Sequence, residues 1–210
     1  MTGRVQQAGL DVPILNADDT RWARLKFELA PGVDLRDRFR GALVGGAIGD
    51  AMGRPNEGVP ADLARERRLR EYRPWGGWRA GSRGTITDDT QMTMWLAQSI
   101  LATAGRARGA GSTDLCDHIL EPQDLADRFT REHIRGIGQA SQDFVHAYRA
   151  LGRPWYKAGT PSAGNDTAMR AAPVGLVHLG DPYRIYRDSL LQSVVRHRCS
   201  MATRLVSVTG

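Results

Sequence analysis

The sequence predicts an all-α protein, and three observations predict it. Apolar side chains recur at i, i+3 and i+4 through several long segments, the helical period. No segment alternates apolar and polar residues as a half-buried strand would. Start and stop signals, among them Pro31-Gly32, Thr87-Asp88, Gly105, Pro122 and Pro182, bracket the periodic segments.

Residues 1–34 carry no sustained period and read as an N-terminal extension, with room for one short helix from Arg21 to Leu29. The first strong helix runs from Leu35 to about Met52, on Leu35, Phe39, Ala42, Leu43, Gly46, Ala47 and Ala51. Gly41, Gly45, Gly46 and Gly49 each cost up to ~1 kcal/mol inside it. Such a concentration makes sense if small residues admit a close neighbour, so Gly45, Gly46 and Gly49 are expected to face another helix. Gly53 to Gly58 must be a loop. A short charged helix, Ala61 to Glu71, precedes a long loop rich in Gly, Trp and Arg that ends at Thr87. The second strong helix opens at Thr87-Asp88-Asp89-Thr90, repeats through Thr93, Leu96, Ala97, Ile100, Leu101 and Ala104, and is expected to stop at Gly105. Helices follow from Asp124 to about His133, Gly138 to Leu151, Ala168 to Val177 with Pro173 as a kink or boundary, and Pro182 to about Arg196.

The 210 residues make one domain, at most with an appendage, and are enough to bury a core. A hydrophobic share of 41% and a charged share of 25% exclude general disorder. No run approaches the roughly 18 apolar residues of a spanning helix, and Met1 to Gln7 shows no secretory h-region. Cys116 and Cys199 are too few for a disulfide scaffold or a cysteine metal site, so a cytoplasmic setting is expected. The net charge of +6 is almost all arginine. Its one cluster, Arg65, Arg67, Arg68 and Arg70, lacks interleaved aromatics and reads as a solvated helix face, which argues against a nucleic-acid partner.

Three places carry chemistry. Thr87-Asp88-Asp89-Thr90 is either a helix cap, with acids at the positive end of the dipole, or a hard-cation site of carboxylate and hydroxyl oxygens. Asp50 lies near a helix C-terminus, where a carboxylate is disfavoured, and therefore needs an arginine, backbone donors or a metal; Glu57 follows in the loop. Ser162-Ala-Gly-Asn-Asp166 is a turn-forming stretch whose backbone N–H groups can cradle a phosphate. His197 stands alone near the C-terminus.

Their order in one chain resembles the ADP-ribosylglycohydrolase family. The opening, Arg40 to Glu57, matches a helix ending in Gly-Asp-Ala-x-Gly with a Glu seven residues after the Asp. Gly84 to Met92 is similar to the family's Thr-Asp-Asp-Thr-x-Met metal motif. Ser162 to Pro173 resembles its Ser-x-Gly-Asn-Gly-x-x-Met-Arg ligand loop, with Asp166 in place of the second Gly. His197 stands where the family has Thr-His, with Arg196 replacing the Thr. The likeness spans about Leu35 to Met201.

The resemblance implies a compact all-α bundle around two divalent cations, Mg²⁺ or Mn²⁺, and hydrolysis of the bond joining C1″ of ADP-ribose to an acceptor. It implies Thr87, Asp88 and Asp89 as metal ligands, and Glu57 as the catalytic position, a metal-linked base or gate near them. It implies Ser162, Gly164 and Asn165 as the diphosphate and ribose loop, with His197 also binding substrate. Partners would be an ADP-ribosylated protein or a small ADP-ribose conjugate. Two octahedral ions need about twelve ligand positions, and the family supplies part of them from a C-terminal Asp-x-Asp-Thr motif. No Asp or Glu follows Asp188 here. The chain is therefore expected to be an incomplete member: an extension over 1–34, a partial domain over 35–201 and an aberrant or frayed tail over 202–210. The alternative is a non-catalytic remnant that binds ADP-ribose or serves as a scaffold.

Overall fold

The computed structural model describes residues 3–5, 12–14, 30–67, 70–74, 82–113, 119–162 and 164–195. Over these the domain is helical, as the periodicity predicts. Asp34 caps α1 (Leu35–Gly53), accepting from the Arg36 and Asp37 N–H groups, and a 3-10 turn, Arg54–Asn56, follows directly. Next come α2 (Ala61–Arg67) and the long α3 (Asp88–Gly109). Then α4 (Pro122–Arg131) starts with Pro in its first turn behind a Glu121 cap. α5 (Gln139–Val145) runs on as a π-helical stretch, His146–Ala150. α6 (Trp155–Ala158), α7 (Ala172–Val177) and α8 (Pro182–Val194) complete the order.

Several details differ from the sequence reading. The N-terminal extension contains a small antiparallel hairpin, β1 (Gly3–Val5) with β2 (Val12–Ile14), in the register Val5 opposite Val12. Strands of three residues are too short to show alternation. α3 passes through Gly105 and ends a turn later. One glycine costs about 1 kcal/mol, and Arg106 and Arg108 in the last turn favour the helix end that carries them. The helix expected from Ala168 starts only at Ala172, with Pro173 in its first turn as a boundary and not a kink. The helix expected over Arg21 to Leu29 and the tail over 202–210 lie outside the described residues.

α3 is the axis of the core. Met92, Trp95, Leu96 and Ile100 meet Leu125, Ala126 and Phe129 of α4, with Phe144, Val174 and Val195 closing the cluster. Arg170 is wholly buried beside it. Its guanidinium sits 4.5 Å over the Phe129 ring, and it donates to Gln192 Oε1 (2.8 Å) and to the Gln192 carbonyl (2.9 Å). Arg170 thus ties the turn before α7 to α8.

α1 packs quite differently. It meets α3 and α7 along one edge, and Ala51 is its only buried residue. A Cβ added at Gly45, Gly46 or Gly49 would meet nothing within 4 Å. The close helix–helix approach expected of these glycines is therefore not made among the described residues. Val44 and Ile48 on α1, and Met94 and Leu101 on α3, are exposed. No described helix is long and apolar enough to cross a membrane.

Candidate active site

The first turn of α3 is built onto the last turn of α1 through one carboxylate. Asp50 Oδ2 accepts from the Thr87 N–H (2.8 Å), the Thr90 N–H (3.2 Å) and the Thr90 hydroxyl (2.5 Å). Its Oδ1 accepts from the Thr87 hydroxyl (2.7 Å). A helix N-terminus leaves its first N–H groups without partners, and here an acid 37 residues upstream satisfies two of them. The partner that Asp50 required on electrostatic grounds is thus a set of backbone and hydroxyl donors. Thr87 is also the N-cap of α3, its hydroxyl oxygen accepting from the Asp89 N–H (3.4 Å).

Thr87 and Asp88 are buried and Asp89 is half-buried beside them. Burial, and then the neighbouring charges of Asp88, Asp50 and Asp166, push the Asp89 carboxyl up to about 6. Gly136 closes the site from the loop before α5. Its φ of +69° is a conformation glycine adopts freely, and a Cβ there would stand 3.5 Å from Asp88 Oδ1 and from Thr87 Cβ, and 3.7 Å from Arg54 Cζ. Asp89 and Thr90 also line an open groove of about 100 Å³ between α1, α3 and α7, with Leu43, Gly46, Ala47 and Asp50 on one wall and Met169 and Ala172 on the other.

Glu57 caps the 3-10 turn after α1 and is about half exposed. It forms an ion pair with Arg54, whose side chain is only 8% exposed and reaches inward beside Thr87 and Asp88. Glu57 is therefore connected to the α3 acids through Arg54. In the loop expected to bind the diphosphate, Ser162 Oγ accepts from the Gly164 N–H (3.2 Å), and the Asn165 carbonyl accepts from the N–H groups of Ala168 (2.8 Å) and Met169 (3.0 Å). Asp166 Oδ2 accepts from Ser141 Oγ (3.3 Å), which anchors the loop to α5. Thr93 Oγ1 donates to the Met169 carbonyl (3.4 Å), which anchors it to α3. His197 lies outside the described residues.

Arg54 and Gly136 were missed by sequence reasoning. The sequence held a faint signal for each, an arginine three residues before Glu57 and a Gly-Ile-Gly turn, but their roles depend on which distant segments they meet.

The donor set fits a hard divalent cation in kind. Carboxylate and hydroxyl oxygens are what Mg²⁺ and Mn²⁺ prefer, and acids crowded enough to raise Asp89 would be relieved by a cation. The set is not closed: among the described residues no three His, Cys, Asp or Glu side chains converge to hold an ion.

Comparison with known proteins agrees with the motif order. The ADP-ribosylglycohydrolase family profile matches residues 31–208. The ADP-ribosyl-[dinitrogen reductase] glycohydrolase of Rhodospirillum rubrum is 29% identical over 167 residues, covering 79% of this chain and 53% of that protein. The ADP-ribosylarginine hydrolase Tri1 of Serratia proteamaculans is 28% identical over 173 residues, covering 80% and 44% respectively. The ADP-ribosylhydrolase ARH3 of Danio rerio is 28% identical over 184 residues, covering 80% and 45%. The chain spans about half the length of the curated relatives it matches. A match over most of the chain, spanning the residues that build the α1–α3 junction, places this protein in the ADP-ribosylglycohydrolase family.

Proposed function

We propose that the protein takes part in the hydrolysis of ADP-ribose from an ADP-ribosylated acceptor, cleaving the glycosidic bond at C1″. The acceptor is an arginine or serine side chain or a small ADP-ribose conjugate, and the setting is cytoplasmic. The observation that carries this reading is the acid cluster at the start of α3, fixed by Asp50, with Asp89 open to the groove between α1, α3 and α7. Mg²⁺ or Mn²⁺, when bound, would lower the pKa of a bound water and align ribose hydroxyls.

Thr87, Asp88 and Asp89 would supply part of the ligand set, and Asp50 would hold their helical turn in place. Cleavage develops oxocarbenium-like positive charge at C1″, which fixed carboxylates stabilise. Glu57 would accept a proton from the attacking water once free of Arg54. Ser162, Gly164 and Asn165, with His197, would hold the diphosphate and distal ribose. Asp166 is an awkward neighbour for a diphosphate, and a cation between them would offset that repulsion.

A non-catalytic ADP-ribose binder is the second reading. It is favoured by the donor set, which among the described residues is not closed. Release of ADP-ribose from ADP-ribosyl-arginine, measured with Mg²⁺ and Mn²⁺ for the wild type and for Asp88→Asn and Asp89→Asn, separates the two. The hydrolase reading expects metal-dependent turnover that both variants lose. Binding of ADP-ribose with no turnover under any metal would establish the binder instead.

A further inference from the structure

The acid end of the groove already has a cation of its own. Arg54 sits in the 3-10 turn after α1, with its long side chain directed inward and almost wholly covered. On one side its guanidinium pairs with Glu57. On the other it comes so close to Asp88 and Thr87 that a single methyl at Gly136 would touch all three residues. An arginine set between an exposed loop acid and a buried helix acid feels the charge of both, and its planar fork suits pairing with a carboxylate. Burying it without those acids would be costly.

The same position conflicts with the cation that the proposed function requires. A divalent ion on Asp88 and Asp89 would stand within several ångströms of a fixed positive charge, in a place shielded from water, where like charges repel strongly. Guanidinium and metal ion would compete for the charge of Asp88. Resting on the reading of this cluster as a cation site, we propose that Arg54 is a built-in counter-ion, which neutralises the α3 acids in the metal-free protein and must swing away when a divalent cation binds. Because Arg54 also holds Glu57, cation uptake then frees Glu57, so that the loop acid becomes available only when the site is loaded.

The test is Mn²⁺ uptake by metal-stripped protein, read from the electron paramagnetic resonance signal of free Mn²⁺, for the wild type, Arg54→Gln and Arg54→Lys. Removing the competing charge is expected to tighten Mn²⁺ binding by on the order of tenfold or more in Arg54→Gln. Arg54→Lys keeps the charge and is expected to stay near the wild type. A cooperative melt checks that each variant folds, and Arg54→Met serves the same comparison if Arg54→Gln does not. Equal or weaker binding by the folded, uncharged variant would overturn the proposal while leaving the cation site standing. No Mn²⁺ uptake by any of the proteins would sink the reading of the site, and the counter-ion with it.

Discussion

The two long sides of α3 have opposite fates. Toward α4 it is sealed: Met92, Leu96 and Phe129 have no measurable exposure, and Ser99 Oγ donates to Asp124 across the seam (2.6 Å). Toward α1 it is open: Met94 is 45% and Leu101 71% exposed, and the facing helix shows Val44 and Ile48 to solvent. The acids lie where the two regimes meet, on a turn rigid enough to hold them and beside a groove that a ligand can enter. The packed core and the open groove thus lie on two faces of one helix.

The largest effect should come from breaking the sealed side. Phe129→Ala would open a cavity and remove the ring beneath Arg170, and should cost about 3–5 kcal/mol in chemical denaturation. Leu101→Ala on the open side should stay within about 0.5 kcal/mol. Comparable losses for the two would mean that the open face is covered in solution.

Next in size is the junction between the faces. Asp50→Ala would strip the acceptor from four donors at the start of α3, and hydrogen bonds to a charged group contribute about 1.5–3 kcal/mol each before compensation by water. We expect a loss of about 2–3 kcal/mol. Amide exchange should quicken first at Thr87 and Thr90, and unchanged protection there would remove the junction from the account.

The helices on which this comparison rests were legible in the sequence because their period is long. α1 and α3 each repeat apolar positions over several turns, and Thr87-Asp88-Asp89-Thr90 announces both a cap and an acid pair. What could not be read is what those segments meet. The need of Asp50 for a partner was visible, but not that Thr87 and Thr90 would be that partner. Gly136 and Arg54 are ordinary loop residues until the fold sets them beside Asp88. The glycines of α1 imply a neighbour on helix-propensity grounds, yet none of the described residues approaches them. Boundaries failed where one residue was weighed alone, as at Gly105, which α3 passes through.

Two acids that α3 touches sharpen the contrast through pH. Burial disfavours the charge on Asp124, but hydrogen bonds from Arg128 and Ser99 outweigh it and hold the carboxyl below its ordinary value. Its contribution is present above the unfolded pKa and is lost as pH falls through the folded one. Asp89 behaves in the opposite sense. With its carboxyl pushed up to about 6, the metal-free native state binds the proton more tightly than the unfolded chain, so stability declines as pH rises from about 4 to 6. Asp124→Asn should cost about 1 kcal/mol at neutral pH and less in acid. Asp89→Asn should instead raise metal-free stability at neutral pH by on the order of 1 kcal/mol. Melting curves between about pH 2 and 8 decide it, and parallel slopes for the two variants would deny the difference in environment.

The smallest effect tests whether the outer side of α1 is open. Gly45 is exposed, helical, and has nothing within 4 Å of the position a Cβ would take. In a helix with free space around it, alanine is favoured over glycine by about 0.8–1 kcal/mol, because the unfolded chain loses backbone freedom and the helix loses nothing. Gly45→Ala should therefore stabilise the protein by about 0.5–1 kcal/mol in a denaturant titration. If a helix did pack closely on the glycines, the added methyl would meet it, and the sign would reverse through overpacking. Because the two arrangements predict opposite signs, a modest measurement suffices: stabilisation leaves α1 with an open outer face, whereas destabilisation shows that something rests against it.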